Sequence, residues 1–290
     1  MAKLSETDLI LNPDGSVYHL NLLPKHISDT IITVGDPARV YRVSQYFDDI
    51  EFEMNKREFI THVGKYKGRR ITVISTGMGT DNIEIFFTEL DALINVDLKT
   101  REVRNKKRKL KIVRIGTSAS LQEDIPLDSH LVTEYAVGFD SLMNYYDLPM
   151  DPLEQSVGKD IQKKTGVNIT PYVVRGSTLL QGQYAADMVV GNTITAPGFY
   201  APQGREIRLP LKYPSLASDL TWYYHKATDF RITNFEMETA GYYAMARLLG
   251  HEVVSVIAII ANGRNTQITI VPYKVYDGLI KNIMGRMYCG

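Results

Sequence analysis

The sequence predicts a three-layer α/β fold, in which a buried sheet lies between two layers of helices. Short apolar runs, typical of strands buried on both faces, alternate with helical patterns along the chain. The chain has 290 residues, 44% of them hydrophobic, which is enough to bury a large core without disulfides or a structural metal. Neither an internal repeat nor a linker interrupts the pattern, so residues 1–290 are expected to form a single domain.

The elements follow from these runs in chain order. Apolar runs rich in branched residues predict strands at residues 30–34, 70–75, 110–115, 130–137, 168–176, 188–195 and 252–261. Helical spacing of apolar residues predicts helices at residues 37–47, 82–93, 151–165, 215–226 and 236–249.

Composition excludes several classes of function. Lys+Arg and Asp+Glu both total 33, and this zero net charge argues against a nucleic-acid or membrane-surface binder. Six scattered histidines and one cysteine, Cys289, give neither a zinc-finger framework nor a disulfide scaffold. The N-terminus has no apolar signal core, and the longest apolar stretch, at 253–261, is too short to span a bilayer. We therefore expect a cytoplasmic protein without nucleic-acid or membrane partners.

Residues 99–109 contain seven basic side chains. This density fits either a nucleic-acid patch or a solvated extension between a helix and a strand. The extension is favoured, because the whole chain is neutral and aromatic residues do not alternate with the basic ones.

A first candidate site follows the strand at 30–34. Gly35 would let an anion approach the backbone, Asp36 and Pro37 suit a helix N-terminus, and Arg39 would lie in the first helical turn. An ordinary capped helix explains the same residues.

The loop at 75–82, Ser-Thr-Gly-Met-Gly-Thr-Asp-Asn, is either a second ligand loop or a tight turn, and it matches neither a Walker loop nor a dinucleotide fingerprint.

Arg114 is the strongest single signal, because an arginine in the last turn of a buried strand requires a carboxylate partner or an anionic ligand. Thr117 and Ser118 follow where the strand is expected to open into a crevice. Glu236 and Glu238 stand at the start of an apolar helix, where carboxylates either compensate the helix dipole or bind a sugar diol.

Recognisable nucleophile motifs are missing: the chain has no Gly-x-Ser-x-Gly elbow, no His-Glu-x-x-His and no credible Cys–His pairing. Arginines near strand ends, hydroxyl-rich loops and a diol-type carboxylate suggest an anionic co-substrate that meets a sugar.

Six blocks carry a resemblance to a known family: VYHLNL, VGDPARV, STGMGTDN, RIGTSASLQ, GFYAPQGR and NFEMETAGYYAM. They resemble the nucleoside phosphorylase-I superfamily, and within it the uridine phosphorylases, over residues 17–267. The resemblance implies a three-layer α/β/α sandwich with a central mixed sheet. It also implies a pentosyltransferase that converts uridine and phosphate to uracil and ribose 1-phosphate, without an organic cofactor.

The resemblance assigns a phosphate site to Gly35, Arg39, Arg114 and Thr117, completed by Arg57 from a neighbouring subunit. It therefore implies a homodimer with shared active sites, or a trimer of such dimers. Met237 and Glu238 would hold the ribose, with Glu238 on the 2′ and 3′ hydroxyls. His19 would reach the 5′-hydroxyl across the subunit interface.

By the same resemblance Gln203 and Arg205 would bind the uracil edge, with Phe199 against the ring. The implied catalytic set is Arg114, Glu238, Arg205 and Gln203. Some relatives hold a monovalent cation such as K⁺ between subunits at the positions of Glu58, Met78 and Asn82, and Asn82 departs from the serine usual there.

Two further positions depart from the family pattern. Ala119 stands where glycine is usual. Gly263 separates Asn262 from Arg264, whereas in relatives the arginine, a candidate for assisting the leaving group, follows the asparagine directly. A purine nucleoside phosphorylase is the nearest alternative, but those of the bacterial type have a proton-donating aspartate where this chain has Asn262. A hydrolytic nucleosidase is the second alternative, but such relatives lack the full set of phosphate-binding arginines, whereas this chain has Arg39, Arg57 and Arg114. A non-catalytic nucleoside-binding protein on the same fold is the third alternative.

Overall fold

The computed structural model describes residues 3–263 and 267–289. The strands are β1 Thr30–Val34, β2 Asp49–Lys56, β3 Phe59–Tyr66, β4 Arg69–Ser75, β5 Val96–Asp97, β6 Glu102–Val103, β7 Lys111–Ser120, β8 His130–Gly138, β9 Tyr172–Arg175, β10 Val189–Thr195, β11 Tyr224–His225, β12 Phe230–Arg231, β13 Asn234–Glu236, β14 Glu252–Asn262 and β15 Gln267–Ile268. The α-helices are α1 Ala38–Ser44, α2 Thr80–Asn95, α3 Pro152–Thr165, α4 Thr178–Tyr184, α5 Leu216–Thr221, α6 Thr239–Leu249 and α7 Pro272–Cys289.

The main sheet is mixed and partly closed. Its strand order is β15-β14-β8-β10-β13-β7-β1-β4-β3-β2, with β9 on β8. Because β14 pairs with both β7 and β8, the strands β14, β8, β10, β13 and β7 form a ring, and β1, β4, β3 and β2 extend from it as an open wing. Parallel pairs such as β1 with β7 stand beside antiparallel pairs such as β13 with β7. The predicted mixed sheet is confirmed.

Helices cover both faces of this sheet, as predicted. Ile31 of β1 and Ile112 of β7 are buried in the cluster that contains α2 and α6. The next residues along each strand, Ile32 and Val113, are buried in the cluster that contains α1 and α7. This alternation is what a strand with two covered faces requires.

Strand β7 departs from the prediction, because it does not end at Ile115 but continues to Ser120. The reason is its neighbour β14, which pairs with β7 as far as Ser120. Strand β1 ends earlier, with Val34 opposite Ile115. Arg114 was expected in the last turn of its strand, but it lies inside β7, which continues past the point where β1 stops.

The sequence also missed several elements. Strands β2 and β3 form a hairpin whose first strand is largely exposed, so it lacks the apolar run used to find strands. Helices α4 and α7 were not predicted either.

The basic segment at 99–109 folds back on the protein. It includes β6, which pairs with β5 just before the segment, and Arg104 forms an ion pair with Asp97 of β5 at 3.7 Å. Arg101 donates to the carbonyl oxygen of Leu9 at 2.7 Å, and Arg108 pairs with Asp29 at 2.6 Å. Several of its charges are thus engaged in contacts within the fold.

Helix α3 begins with a capping box, in which Asp151 and Glu154 each accept the other's backbone N–H at 2.9 Å. It ends at Gly166, whose φ of 67° suits the left-handed C-cap. In the described ranges, no helix is long and apolar enough to cross a bilayer.

Two helical glycines give a matched test of packing. A Cβ on Gly158 of α3 would lie 2.4 Å from the carbonyl oxygen of Pro171, whereas a Cβ on Gly182 of α4 would meet nothing within 4 Å. We expect Gly158→Ala to destabilise the protein by about 1–3 kcal/mol through overpacking. Gly182→Ala should be neutral or stabilising by up to about 1 kcal/mol, since alanine favours helix. Thermal unfolding of both variants at one protein concentration measures the difference. Equal melting temperatures for the two variants would contradict the close packing of α3 against Pro171.

Candidate active site

Arg114 lies in the middle of β7 and is 5% exposed. Its Nη2 lies 2.6 Å from Oε2 of Glu238 and 2.8 Å from Oε2 of Glu236, and its Nη1 donates to the hydroxyl of Ser255 at 3.2 Å. A Cβ on Gly116 would lie 2.2 Å from Nη1, so the guanidinium folds over that glycine. The carboxylate partner expected for a buried arginine is present, and there are two of them.

The two carboxylates of this cluster have different surroundings. Glu236 also accepts the N–H groups of Glu238 and Thr239 at 2.9 Å and the hydroxyl of Thr195 at 2.6 Å. Its lone pairs are thus largely used in fixing the start of α6, which is the dipole-compensating role considered from the sequence. Glu238 accepts the N–H of Gly79 at 2.9 Å besides its bond to Arg114.

Burial and charge shift the pKa values of this cluster. Burial is the largest influence on Glu238 and raises the pKa of its carboxyl; the charge of Arg114 opposes this rise without cancelling it, and the charge of Glu236 adds to it. For Arg114, burial favours a lower pKa, but the charges of Glu236 and Glu238 raise it above its ordinary value. Arg114 therefore keeps its positive charge at any physiological pH.

Two glycine-containing loops meet beside this cluster. The N–H of Gly77 donates to the carbonyl oxygen of Gly35 at 2.9 Å, and a Cβ on Gly35 would lie 3.4 Å from the carbonyl oxygen of Gly77. Gly77 and Gly79 have φ values of 69° and 93°, in the region that favours glycine. The loop at 75–82 is thus a tight turn, and its Gly79 N–H also ties it to Glu238.

Arg39 lies at the same edge of the sheet. Its guanidinium is 4.2 Å from the ring centroid of Tyr276, whose hydroxyl donates to the carbonyl oxygen of Ile115 at 3.3 Å. Helix α1 begins at Ala38, one residue later than predicted, and the carboxylate of Asp36 accepts the N–H of Ala38 at 2.9 Å. Arg39 is accordingly in the first turn, beside the end of the β1–β7 pairing.

The loop after β10 carries the predicted base-binding residues. Because β10 pairs with β13, with Thr195 opposite Glu236, this loop starts at the edge of the sheet that carries Arg114's carboxylates. Gln203 is 7% exposed, and its Oε1 accepts a hydrogen bond from Arg205 at 2.7 Å. The Arg205 guanidinium also lies 4.0 Å from the ring centroid of Phe199. Burial lowers the pKa of Arg205.

A cavity of about 440 Å³ is lined by Tyr200, Arg205, Arg208 and their neighbours. An apolar cavity of about 290 Å³, lined in part by Phe139, Pro197 and Pro202, lies on the same segment. The Gln203–Arg205 segment thus borders two cavities that are both lined mainly by apolar surface, and Arg205 and Arg208 add charge to one of them.

His19 and Arg57 both lie near the ring of Tyr18. The guanidinium of Arg57, in the turn between β2 and β3, is 5.9 Å from the ring centroid of Tyr18, and the Tyr18 and His19 rings are 4.9 Å apart. In the described part of the chain, neither residue has a hydrogen bond or ion pair with Arg114 or Glu238. The described contacts therefore do not join these two residues to the Arg114 cluster of their own chain.

The remaining predicted residues are placed as follows. Thr117 lies within β7, opposite Ala258, and Met237 is half-buried between the two glutamates. The Nδ2 of Asn82 donates to the carbonyl oxygen of Met78 at 3.2 Å. The residues described form no group of three or more His, Cys, Asp and Glu side chains that could hold a metal ion. Arg264 lies outside the described residues.

Sequence reasoning missed two contributors to the cluster. Ser255 of β14 contacts Arg114, and Thr195 of β10 donates to Glu236 and accepts the N–H of Ala240. A buried hydroxyl inside an apolar strand was the available signal, since Ser255 interrupts the run at 253–261.

With this geometry in place, comparison with protein families gives a match to the phosphorylase superfamily over residues 29–271. The chain belongs to this superfamily. The predicted enzyme class, a pentosyltransferase of the phosphorylase type, is confirmed by this membership and by the relatives.

Two curated members of the phosphorylase superfamily show how closely the chain is related to it. The chain is 28% identical to the uridine phosphorylase of Thermococcus kodakarensis over 249 residues, which cover 86% of this chain and 78% of the relative. It is 26% identical to a DeoD-type purine nucleoside phosphorylase of Bacillus cereus, over 83% of this chain and 85% of the relative.

A solved member is the Trypanosoma brucei nucleoside phosphorylase, described as showing uridine phosphorylase activity. It matches with a TM-score of 0.88 and 28% identity, over 98% of this chain and 100% of that one. Uridine and purine enzymes both occur among the relatives, so the choice of base has to come from the site residues.

The cluster around Arg114 predicts a large effect on stability. Glu236→Ala would leave Arg114 with one carboxylate and would remove the acceptor of several buried donors. We expect a loss of about 3–5 kcal/mol. Asp124→Ala, which breaks the exposed pair with Arg231 at 2.6 Å, is the control and should cost less than about 1 kcal/mol. Urea or thermal unfolding measures both, and a Glu236→Ala protein as stable as the control would contradict the structural role of Glu236.

Proposed function

We propose that this phosphorylase is a uridine phosphorylase, which converts uridine and phosphate to uracil and ribose 1-phosphate. The observation that carries the proposal is the contact between Arg114 and Glu238, at 2.6 Å, beside the point where β1 stops and β7 continues. It joins a group suited to phosphate with a group suited to a ribose diol. Two substrates bound there would be in contact with each other.

The phosphate would be held by Arg114 with Arg39, Thr117 and the backbone at Gly35. An arginine has five N–H donors, and Nη2 and Nη1 of Arg114 use only part of them on Glu236, Glu238 and Ser255. Donors thus remain for an anion.

Catalysis in this scheme rests on positioning and electrostatics. Phosphate attacks C1′ of the ribose as the C1′–N1 bond breaks, so the protein supplies no nucleophile and needs no organic cofactor. The sugar gains cationic character, which the phosphate charge stabilises. Glu238, fixed by Arg114 and by the Gly79 N–H, would accept hydrogen bonds from the 2′ and 3′ hydroxyls and hold the ring in line.

Gln203 and Arg205 would stabilise the negative charge that develops on the departing uracil. Their mutual hydrogen bond orients the amide so that its oxygen faces Arg205 and its nitrogen, which contacts the carbonyl oxygen of Gly198 at 3.3 Å, is on the other side. A fixed amide next to a guanidinium offers donors and an acceptor in the pattern that a uracil edge requires.

The purine alternative is supported by the Bacillus relative but disfavoured by Asn262. Asn262 is 3% exposed, and its Nδ2 donates to the carbonyl oxygens of Gln122 at 3.1 Å and Ile125 at 3.4 Å. An amide cannot supply the proton that an aspartate would give to a purine, and this one is already engaged with the backbone.

The subunit arrangement of the scheme is a homodimer, in which His19 and Arg57 of one chain serve the site of the other. In the described part of the chain, neither residue has a hydrogen bond or ion pair with Arg114 or Glu238, which supports this arrangement. A K⁺ ion near Glu58 and a further assembly of three dimers stay predictions.

The test of the proposed function is an absorbance assay with uridine, thymidine and inosine, each with and without phosphate. Uridine should be cleaved only with phosphate and far faster than inosine. Faster cleavage of inosine would indicate a purine enzyme, and turnover without phosphate a nucleosidase. Absence of turnover under all conditions, with nucleoside binding retained, would indicate a binding protein.

Shared sites predict complementation between inactive variants. Arg57→Ala and Glu238→Ala should each be nearly inactive as pure proteins. Mixed in equal amounts, dissociated and reassociated, they form about half mixed dimers, and each mixed dimer has one intact site, so about a quarter of all sites should recover activity.

The control for this complementation is each variant taken through the same treatment alone. Mixed dimers demonstrated by mass spectrometry, with activity still at the level of the single variants, would contradict the assignment of Arg57 to the neighbouring site.

A further inference from the structure

His19 is held by a buried carboxylate on helix α2. Its Nδ1 lies 2.6 Å from Oε1 of Glu89, and its backbone N–H donates to both carboxylate oxygens, at 2.9 and 3.0 Å. The backbone N–H of Leu20 donates to Oε2 at 2.8 Å. Among the described residues, every hydrogen bond of Glu89 thus goes to one turn, which is 70 residues away in the sequence.

The burial of Glu89 makes this arrangement unusual. The residue is 7% exposed, and in the described part of the chain no Lys or Arg forms an ion pair with it. A buried carboxylate without a permanent cation costs free energy unless several donors surround it. Here all the donors belong to residues 19 and 20, so the contacts of Glu89 serve to fix the position of His19.

The contact also selects the tautomer of the imidazole. An ionised carboxylate only accepts hydrogen bonds, so Nδ1 must carry the proton that is shared with Glu89. In the neutral ring Nε2 then has a free lone pair. The His19 side chain is 31% exposed, and Nε2 has no hydrogen-bond partner in the described residues. It is therefore available as an acceptor at the surface.

We propose that Glu89 is a positioning residue, which holds His19 in the Nδ1–H tautomer so that Nε2 accepts a hydrogen bond from the 5′-hydroxyl of a nucleoside bound to the neighbouring subunit. This inference rests on the proposed function, because the nucleoside is its substrate. The rigid support is α2, whose buried face includes Phe86, Phe87 and Leu90 around Glu89.

The experiment compares uridine with 5′-deoxyuridine, which lacks only the hydroxyl in question, in wild type, His19→Ala and Glu89→Gln. The amide of Glu89→Gln has one acceptor oxygen for the donors of the turn and the ring, so they compete for it. In wild type kcat/KM should favour uridine by about tenfold, the size of one hydrogen bond. Both variants should lose most of this preference, with 5′-deoxyuridine turned over within about twofold of the wild-type rate.

Glu154→Gln is the matched control. Glu154 is also a buried carboxylate that accepts backbone N–H groups, those of Asp151 and Arg175, but it pairs with Arg247 outside the site. This variant should lose stability and keep the full preference for uridine. An equal loss on both substrates in Glu89→Gln would show a purely structural role and would overturn the proposal.

A second measurement does not depend on turnover. Long-range ¹H–¹⁵N NMR of wild-type protein, with the His19 signals assigned by their absence in His19→Ala, reports the tautomer. A proton on Nδ1 is expected. A proton on Nε2 of the neutral ring would overturn the proposal even if uridine is the substrate. If another nucleoside proves to be the substrate, its 5′-deoxy analogue replaces 5′-deoxyuridine in the same comparison. A wrong uridine assignment can therefore be distinguished from a wrong positioning role for Glu89.

Discussion

The buried charge of Arg114 is the constraint on which the rest of this site depends. A guanidinium in the middle of a covered strand is tolerated only if carboxylates and hydrogen-bond acceptors surround it. Glu236, Glu238 and Ser255 meet that requirement from β13, the start of α6 and β14. The charge of Arg114 on β7 is therefore matched by polar side chains at the end of β13, at the start of α6 and within β14. The same contacts hold the guanidinium and the Glu238 carboxylate in fixed positions before any substrate binds.

The partly closed sheet explains why these elements can converge. Strand β14 pairs with both β7 and β8, which brings β13 and β10 around to the far side of β7. The loop after β10, with Gln203 and Arg205, is thereby placed at the edge where Glu236 ends β13. Strand β13 lies between β10 and β7 and pairs with both, so the segment proposed to bind the base starts near the arginine proposed to bind phosphate.

The sequence predicted the layers and most of the buried strands, because apolar runs identify covered strands directly. It missed the β2–β3 hairpin, since its polar, exposed first strand resembles a loop, and it ended β7 too early, since pairing with β14 is a tertiary effect. Arg114 was recognised as a buried charge in need of a partner, but which carboxylates would serve was not evident, because Glu236 and Glu238 are only two residues apart in sequence and chemically identical. Only the backbone N–H groups that donate to Glu236 distinguish its role from that of Glu238. Glu89 carried no local signal, since its partners are residues 19 and 20.

The central claim is that the Arg114 fork, fixed by two carboxylates, binds the phosphate. It is tested most directly by titrating inorganic phosphate into wild type, Arg114→Lys and Arg231→Lys by isothermal calorimetry at low salt. Lysine keeps the charge but lacks the planar fork, so phosphate affinity should fall by about tenfold or more in Arg114→Lys. Arg231, in its exposed pair with Asp124, is the control, and its lysine variant should bind as wild type does. Unchanged phosphate affinity in Arg114→Lys would contradict the account and would leave Arg114 as a structural partner of Glu236 and Glu238.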